Sequence, residues 1–228
     1  LLELKSLARA GHFHDVSLQI RAGEILGLYG LVGSGVAEIA ECIHGLARTS
    51  GGEIILSGKR IAPRTPRQAE KAGIALLPAN RKLEGMFGFQ SIAFNISAGH
   101  VKLLSRFGTL VDRAREKTVA TDMIKRLAVR TPHERQPISA MSGGNAQKLV
   151  IAREFAGTPK VVLAHSPSRG LDVRASAAVH QRLRDARDAG AGVLLISEDL
   201  DEILLLSDLV GVINRGRIVA EFPAPADR

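Results

Sequence analysis

Apolar and polar positions follow two periods along this chain. Leu2 to Leu7 alternates weakly, which predicts an edge strand, and His14 to Ile20 predicts a second strand ahead of a turn at Arg21-Ala22-Gly23. Glu24 to Tyr29 is an apolar run that reads as a buried strand. Behind it Ile39, Cys42, Ile43 and Leu46 recur at helical spacing, and between strand and helix stand Gly30, Gly33 and Gly35. Glu53 to Leu56, Ile74 to Leu77, Lys160 to Ala164, Val193 to Ile196 and Leu209 to Ile213 read as further strands, with Arg217 to Phe222 at an edge. Helices are predicted from Thr65-Pro66 to Gly73, Ser91 to Ser97, Val173 to Ala189 and Leu200 to Leu206. Ser142 has the character of an N-cap, and its helix runs to about Ala156 before Gly157.

Strands alternating with helices predict a three-layer α/β core with a mainly parallel sheet and antiparallel edge strands. Val101 to Val129 reads as a separate helical block, with Val119, Met123 and Leu127 on one face, and Thr131 to Met141 as an extended loop. The expectation is one domain over residues 1–228, with a core of 1–91 and 142–228 and an inserted helical subdomain at about 92–141.

Composition narrows the classes. A chain of 228 residues with 45% hydrophobic content can bury a full core. Its net charge of +8 implies solubility and affinity for anions, nucleotides included. There is no Trp and only one Tyr, so stacking platforms for bases are scarce and no nucleic-acid partner is expected. The single cysteine, Cys42, excludes an internal disulfide and suits a reducing compartment; on the apolar face of its helix it reads as a small buried hydrophobe. No stretch reaches the ~18 uninterrupted apolar residues of a membrane span. No signal peptide is evident, and the start at Leu1 fits a piece of something longer.

Strand, glycine loop and helix together make the layout of a P-loop. Glycines let backbone N–H groups turn towards phosphates, and the helix N-terminus adds partial positive charge. Gly30, Gly33, Ser34, Gly35, Val36 and Ala37 are the candidate nucleotide-binding residues. After the G-x-x-x-x-G spacing from Gly30 to Gly35, Lys and Ser or Thr should follow. Val36 and Ala37 stand there instead.

Met141-Ser142-Gly143-Gly144-Asn145-Ala146-Gln147-Lys148 resembles the signature motif of ABC ATPases in its LSGGNQQK form. Arg169-Gly170-Leu171-Asp172-Val173 is similar to the D-loop of that family, with Asp172 as its acid. Pro167 to Val173, and Pro78-Ala79-Asn80-Arg81-Lys82, resemble the second nucleotide-binding domain of the sugar-importer ATPases, which energise uptake of ribose, xylose, galactose and related solutes. The resemblance implies a P-loop NTPase fold of ABC type and a place at the cytoplasmic face of the inner (plasma) membrane. It also implies transmembrane permease subunits as partners, a periplasmic sugar-binding protein indirectly, and a second nucleotide-binding domain fused in the same polypeptide. By the same resemblance, Ser142, Gly143, Gly144, Asn145 and Gln147 form the signature that acts in trans, the Ser hydroxyl and the backbone N–H groups of the first turn pointing at the γ-phosphate on the other domain's P-loop. Two glycines in a helical first turn weaken it by ~1 kcal/mol each, which a merely structural helix has no reason to accept.

The departures from the family pattern fall on the catalytic groups. Val36 replaces the P-loop Lys, Ala37 the Mg²⁺-holding hydroxyl, and Glu38 adds a carboxylate that repels a triphosphate. Where Asp-Glu-Pro-Thr is the pattern, the chain has His165-Ser166-Pro167-Ser168. His165 thus takes the metal-side Asp position and Ser166 that of the water-polarising Glu. Glu198 replaces the switch histidine and Ala79 the Gln that links metal to membrane partner. No aromatic stacks on adenine; Phe13 suits the core. The domain's own site is therefore read as degenerate: ATP held weakly, no metal ligand, no catalytic residue, with Mg²⁺ at the partner's site. Other readings are an autonomous ABC ATPase, which would depend on His165 for positive charge, and a soluble nucleic-acid-associated ABC ATPase. Phe87, Phe89 and Phe94 cluster in a segment that, by the resemblance, receives the membrane protein's coupling helix. At least one of these rings is expected to be exposed.

Overall fold

A computed structural model describes residues 1–100, 104–106 and 110–224. The chain runs β1 (Leu2–Arg9), β2 (Phe13–Ile20), β3 (Ile25–Tyr29), α1 (Val36–Ile43), β4 (Gly51–Leu56), β5 (Lys59–Ile61), α2 (Pro66–Ala72), β6 (Ile74–Leu77), α3 (Ile92–Ser97), β7 (Ser105–Arg106) and β8 (Leu110–Val111). It continues through α4 (Arg113–Arg126), α5 (Gly143–Phe155), β9 (Val161–His165), α6 (Val173–Asp188), β10 (Gly192–Ser197), α7 (Leu200–Leu206), β11 (Leu209–Asn214) and β12 (Arg217–Pro223). Two compact units result. One comprises Leu1–Leu76, Thr158–Pro167 and His180–Arg228; the other comprises Leu77–Gly157 and Ser168–Val179.

The first unit contains a six-stranded sheet in the order β12-β11-β3-β10-β9-β6. The pairs β11–β3, β3–β10 and β10–β9 are parallel, and β12 is an antiparallel edge. Strand β10 is buried along its whole length, so it reads as an unbroken apolar run and not as an alternation. Leu26 and Leu28 of β3 share an apolar cluster with Ile39 and Ile43 of α1 and with Leu2, Leu4 and Val16 of the antiparallel strands. Between them, Gly27 faces the opposite way, where a Cβ would lie 2.9 Å from Ile203 Cγ2. Helix α7 can lie this close because at Gly27 that face of β3 carries no side chain. The sheet is thus covered by α1 on one face and α7 on the other. Phe13 and Cys42 are buried in the core, and burial pushes the Cys42 thiol up to about 11.

One expected edge strand is not at an edge. The antiparallel sheet has the order β2-β1-β4-β5, with β1 between two partners. Its alternation is weak because the pairing register shifts between Leu4 and Leu7, around Ser6 with its φ of 44°.

The second unit packs α3, α4 and α5 around Ile92, Ile96, Ala120, Ile138, Ala146 and Leu149, with Val119, Met123 and Leu127 against them. Asp112 caps α4 by accepting from the N–H groups of Ala114 and Arg115. The block expected to be helical from Val101 to Val129 instead has the two-residue antiparallel hairpin β7–β8 before α4, while 101–103 and 107–109 lie outside the described residues. Because Ala146 and Leu149 belong to this cluster, α5 falls in the second unit, which is therefore wider than the 92–141 segment. Buried Glu116 is compensated by Ser97 Oγ at 2.6 Å and Arg113 Nη1 at 2.8 Å, as a carboxylate out of water requires. No helix among the described residues is long and apolar enough to cross a membrane.

Candidate functional site

In the first unit, strand register brings together the residues expected at the nucleotide. Ser197 of β10 pairs with Tyr29 of β3, and Ile196 pairs with His165 of β9. Gly30, Glu198 and Ser166 therefore leave the carboxyl ends of adjacent parallel strands, where open α/β sheets take their ligands.

The glycine loop is tightly set. Ser34 N–H donates to Leu31 O at 3.0 Å, and Gly216 N–H donates to Ser34 O at 2.8 Å. Gly35 has a φ of 94°, and a Cβ there would lie 2.6 Å from His12 O, so glycine is required on two counts. Ser34 Oγ is buried without a hydrogen-bond partner, and Gly35 gives α1 no side-chain cap. An orphaned hydroxyl beside uncapped helix N–H groups is a fit for phosphate oxygens.

The flanking residues do not extend that fit to a metal. Val36 is only 6% exposed and packs in the core cluster, so apolar surface occupies the expected site of a cation. Glu38 turns to His12, with Oε1 3.3 Å from Nδ1. Ser166 is buried in the left-handed region, φ 43°, its N–H donating to Ile196 O at 2.7 Å. His165 is half-buried and Glu198 exposed. Val36, Ala37, His165 and Ser166 supply no carboxylate. Among the described residues no group of three or more His, Cys, Asp or Glu is placed to hold a metal ion.

A network beside this edge is absent from the motif reading. Ser197 Oγ donates to Glu202 Oε2 at 2.8 Å, and His180 Nε2 lies 2.9 Å from Glu202 Oε1. Asp199 then caps α7 through the N–H groups of Asp201 and Glu202. These bonds fix the backbone on both sides of Glu198. Only the Asp199 cap has a local sequence signal.

In the second unit, Ser142 sits exposed at the N-cap of α5 and accepts from Asn145 N–H at 3.5 Å and Nδ2 at 3.1 Å. The second signature glycine is sterically required, and the first lies against the Arg81 guanidinium. A Cβ on Gly144 would lie 2.8 Å from Ala175 Cβ, and one on Gly143 would lie 2.7 Å from Arg81 Nη2. Gln147 is buried within the helix bundle. Asp172 caps the start of α6, accepting from Ala175 N–H at 2.8 Å. Arg81 Nη1 donates to Arg169 O at 2.7 Å and Nη2 to Gly170 O at 3.4 Å. Arg81 thus holds the D-loop backbone beside the first signature glycine, a role that its place in a short motif does not reveal. Partial burial lowers its pKa from the usual arginine value.

The phenylalanine segment also lies in this unit. Phe89 is 98% exposed, and Phe87 and Leu83 are exposed beside it in sequence. Phe94 is half-buried and meets Phe87 edge to face, with ring centroids 5.4 Å apart. Asn95 holds the Phe87 backbone at both its N–H (2.8 Å) and its carbonyl (3.1 Å). The expected exposed ring is present twice.

Comparison with known proteins follows this geometry. An arabinose import ATP-binding protein of Burkholderia ambifaria is 42% identical over 221 residues, covering 97% of this chain and 43% of that protein. A ribose import ATP-binding protein of Rhizobium etli is 42% identical over 224 residues, 98% of this chain and 44% of that one. The chain therefore spans less than half the length of these relatives. A nucleotide-free ATP-binding cassette from an ABC transporter superposes with a TM-score of 0.81 at 18% identity, covering 99% of this chain and 92% of that one. An ATP-binding subunit of an ABC transporter gives 0.76 at 22% identity, with 98% and 90% covered. At such identities the likeness is one of fold. Residues 13–169 match the ABC transporter family profile. That match takes in the glycine loop and the Ser142 helix alike, and with it the chain belongs to the ABC transporter family.

Proposed function

We propose that this chain is a nucleotide-binding domain of a sugar importer whose catalytic contribution is made at a partner domain's site. The observation that carries this reading is a contrast. The signature helix keeps its cap and both glycines, Gly144 being sterically required, while apolar Val36 and Ala37 occupy the P-loop's working positions.

At its own loop the chain offers backbone N–H groups and the Ser34 hydroxyl, and no cation from the loop. Loss of a single charge-stabilising donor costs about 10²–10³ in rate, and here Ser166 also leaves no carboxylate to orient a water. ATP binds weakly at this loop and is not hydrolysed there. At the partner's site, ATP with Mg²⁺ supplies the phosphoryl-transfer chemistry. This chain contributes the Ser142 hydroxyl and the orphan N–H groups of the first turn of α5, aimed at the γ-phosphate. Asp172 holds the D-loop against the start of α6. The names of the relatives, arabinose and ribose import ATP-binding proteins, support a sugar as the transported solute.

The partners that follow are a second nucleotide-binding domain with an intact P-loop, on the same polypeptide or a separate one, permease subunits and a periplasmic sugar-binding protein. The exposed Phe87 and Phe89 support an apolar docking face for a permease helix, in keeping with a peripheral position at the cytoplasmic face of the membrane. Calorimetry on the isolated chain tests the reading. ATP affinity is expected at roughly -4 to -6 kcal/mol, changing less than about twofold with Mg²⁺, since Val36, Ala37, His165 and Ser166 bring no carboxylate or Mg²⁺-holding hydroxyl at the expected positions. Tight, Mg²⁺-dependent binding would overturn it.

A further inference from the structure

A cavity of about 310 Å³ in the second unit is lined by Ala79, Asn80, Arg81, Lys82 and Arg169. Three of these five residues are cationic and none is a carboxylate. Two guanidinium nitrogens of Arg81, Nη1 and Nη2, each donate one N–H to the carbonyls of Arg169 and Gly170, and each carries a second N–H. Lys82 is exposed, and its ammonium has no ion-pair partner among the described residues. The same guanidinium lies at the N-terminal glycine of α5, 2.7 Å from the position of a Gly143 Cβ, so the helix dipole adds to the positive potential.

We propose that this cavity is a binding site for a small phosphate-bearing anion, with Arg81 and Lys82 as its principal ligands. Its volume is at the low end of ligand pockets, which suits a phosphate or diphosphate group with little attached. Planar guanidinium paired with a mobile ammonium is a chemistry that recognises phosphate. The site does not involve the glycine loop; it borders the N-terminal turn of α5 that the proposed function assigns to the partner's γ-phosphate, and shares that turn with that reading. Because Arg81 also holds the carbonyls of Arg169 and Gly170, occupancy is transmitted to the D-loop backbone.

The test is an amide-resolved NMR titration of the whole 228-residue chain with inorganic pyrophosphate at constant ionic strength. Saturable shifts are expected at Asn80, Arg81, Lys82, Gly143 and Gly170. Arg81→Gln and Lys82→Gln should each weaken binding about tenfold, the worth of one charge-assisted hydrogen bond. Lys82→Gln removes no contact within the chain, so its effect is not one of folding. ATP as a second probe separates the sources. Equal shifts with ATP assign the site to nucleotide phosphates, and shifts with pyrophosphate alone assign it to a free small phosphate. Shifts confined to Gly30–Ala37, shifts linear in concentration, or an unchanged affinity in both variants would overturn the proposal. Binding at Gly33–Ala37 appears in the same spectra as a separate set, so weakness there reports on the glycine loop alone.

Discussion

His44 closes α1, the helix that carries the glycine loop, donating its backbone N–H to Ala40 O at 2.9 Å. Its ring is 6% exposed, and neither Nδ1 nor Nε2 has a partner. Burial lowers its pKa from 6.5 to about 4, so at neutral pH the folded protein holds a neutral imidazole. The unfolded chain protonates first as pH falls, so the stability conferred by a neutral His44 is complete above about 6.5. It declines between about 6.5 and 4, and is gone below. At about 1.4 kcal/mol per pH unit, that interval is worth about 3–4 kcal/mol, a large part of the 5–15 kcal/mol typical of a domain. Replacing His44 by Leu removes both the titration and two unsatisfied nitrogens at similar volume. The variant should gain roughly 1–2 kcal/mol at pH 7 and lose the pH dependence in that interval. Urea unfolding followed by circular dichroism at several pH values between 4.5 and 7.5 reads both effects. Parallel pH curves for wild type and variant, or a variant less stable than wild type at pH 7, would refute the reasoning.

Three further outcomes follow from the geometry. Gly35→Ala forces a φ of 94° on a residue with a Cβ placed 2.6 Å from His12 O. It should cost about 2 kcal/mol or more in urea unfolding. Phe89→Asp changes a ring that is 98% exposed. It should leave stability within about 0.5 kcal/mol while weakening co-purification with the permease subunits. Glu202→Gln leaves His180 and Ser197 facing a neutral amide in a buried network. A loss of about 2–3 kcal/mol is expected by thermal unfolding, and an unchanged midpoint would dismiss the network as a support for the Glu198 segment.

Local rules made much of this molecule legible. Glycine spacing behind an apolar strand, Pro66 and Gly73 at opposite ends of α2, the helix from Ser91 and Ser142 as a cap each depend on a few neighbouring residues. The structure repeats them nearly to the residue. Features that depend on distant partners were not legible. The place of β1 inside its sheet depends on β4, where Lys5 meets Glu53. Two-residue strands such as β7 and β8 are too short to show a period. The bonds from Arg81 to Arg169 and from His180 to Glu202 bring residues together by topology, with no trace in either local sequence. Candidate site positions could be named from sequence because the motifs are contiguous. The orphaned Ser34 hydroxyl and the core packing of Val36 needed coordinates.

The central claim is that this domain acts through Ser142 and not through its own glycine loop. Steady-state ATP turnover of the assembled transporter, with its partner domain and permease subunits, tests this most directly with two variants checked for folding by circular dichroism. Ser142→Arg removes an exposed hydroxyl at the N-cap of α5 and places bulk where a partner's γ-phosphate would sit. It should lower turnover ~10²-fold or more. Val36→Lys returns a charge to a loop that still lacks a carboxylate at His165 and Ser166 and a histidine at Glu198, and should leave turnover within about twofold. A silent Ser142→Arg together with a several-fold gain from Val36→Lys would contradict the account and make this glycine loop the active one.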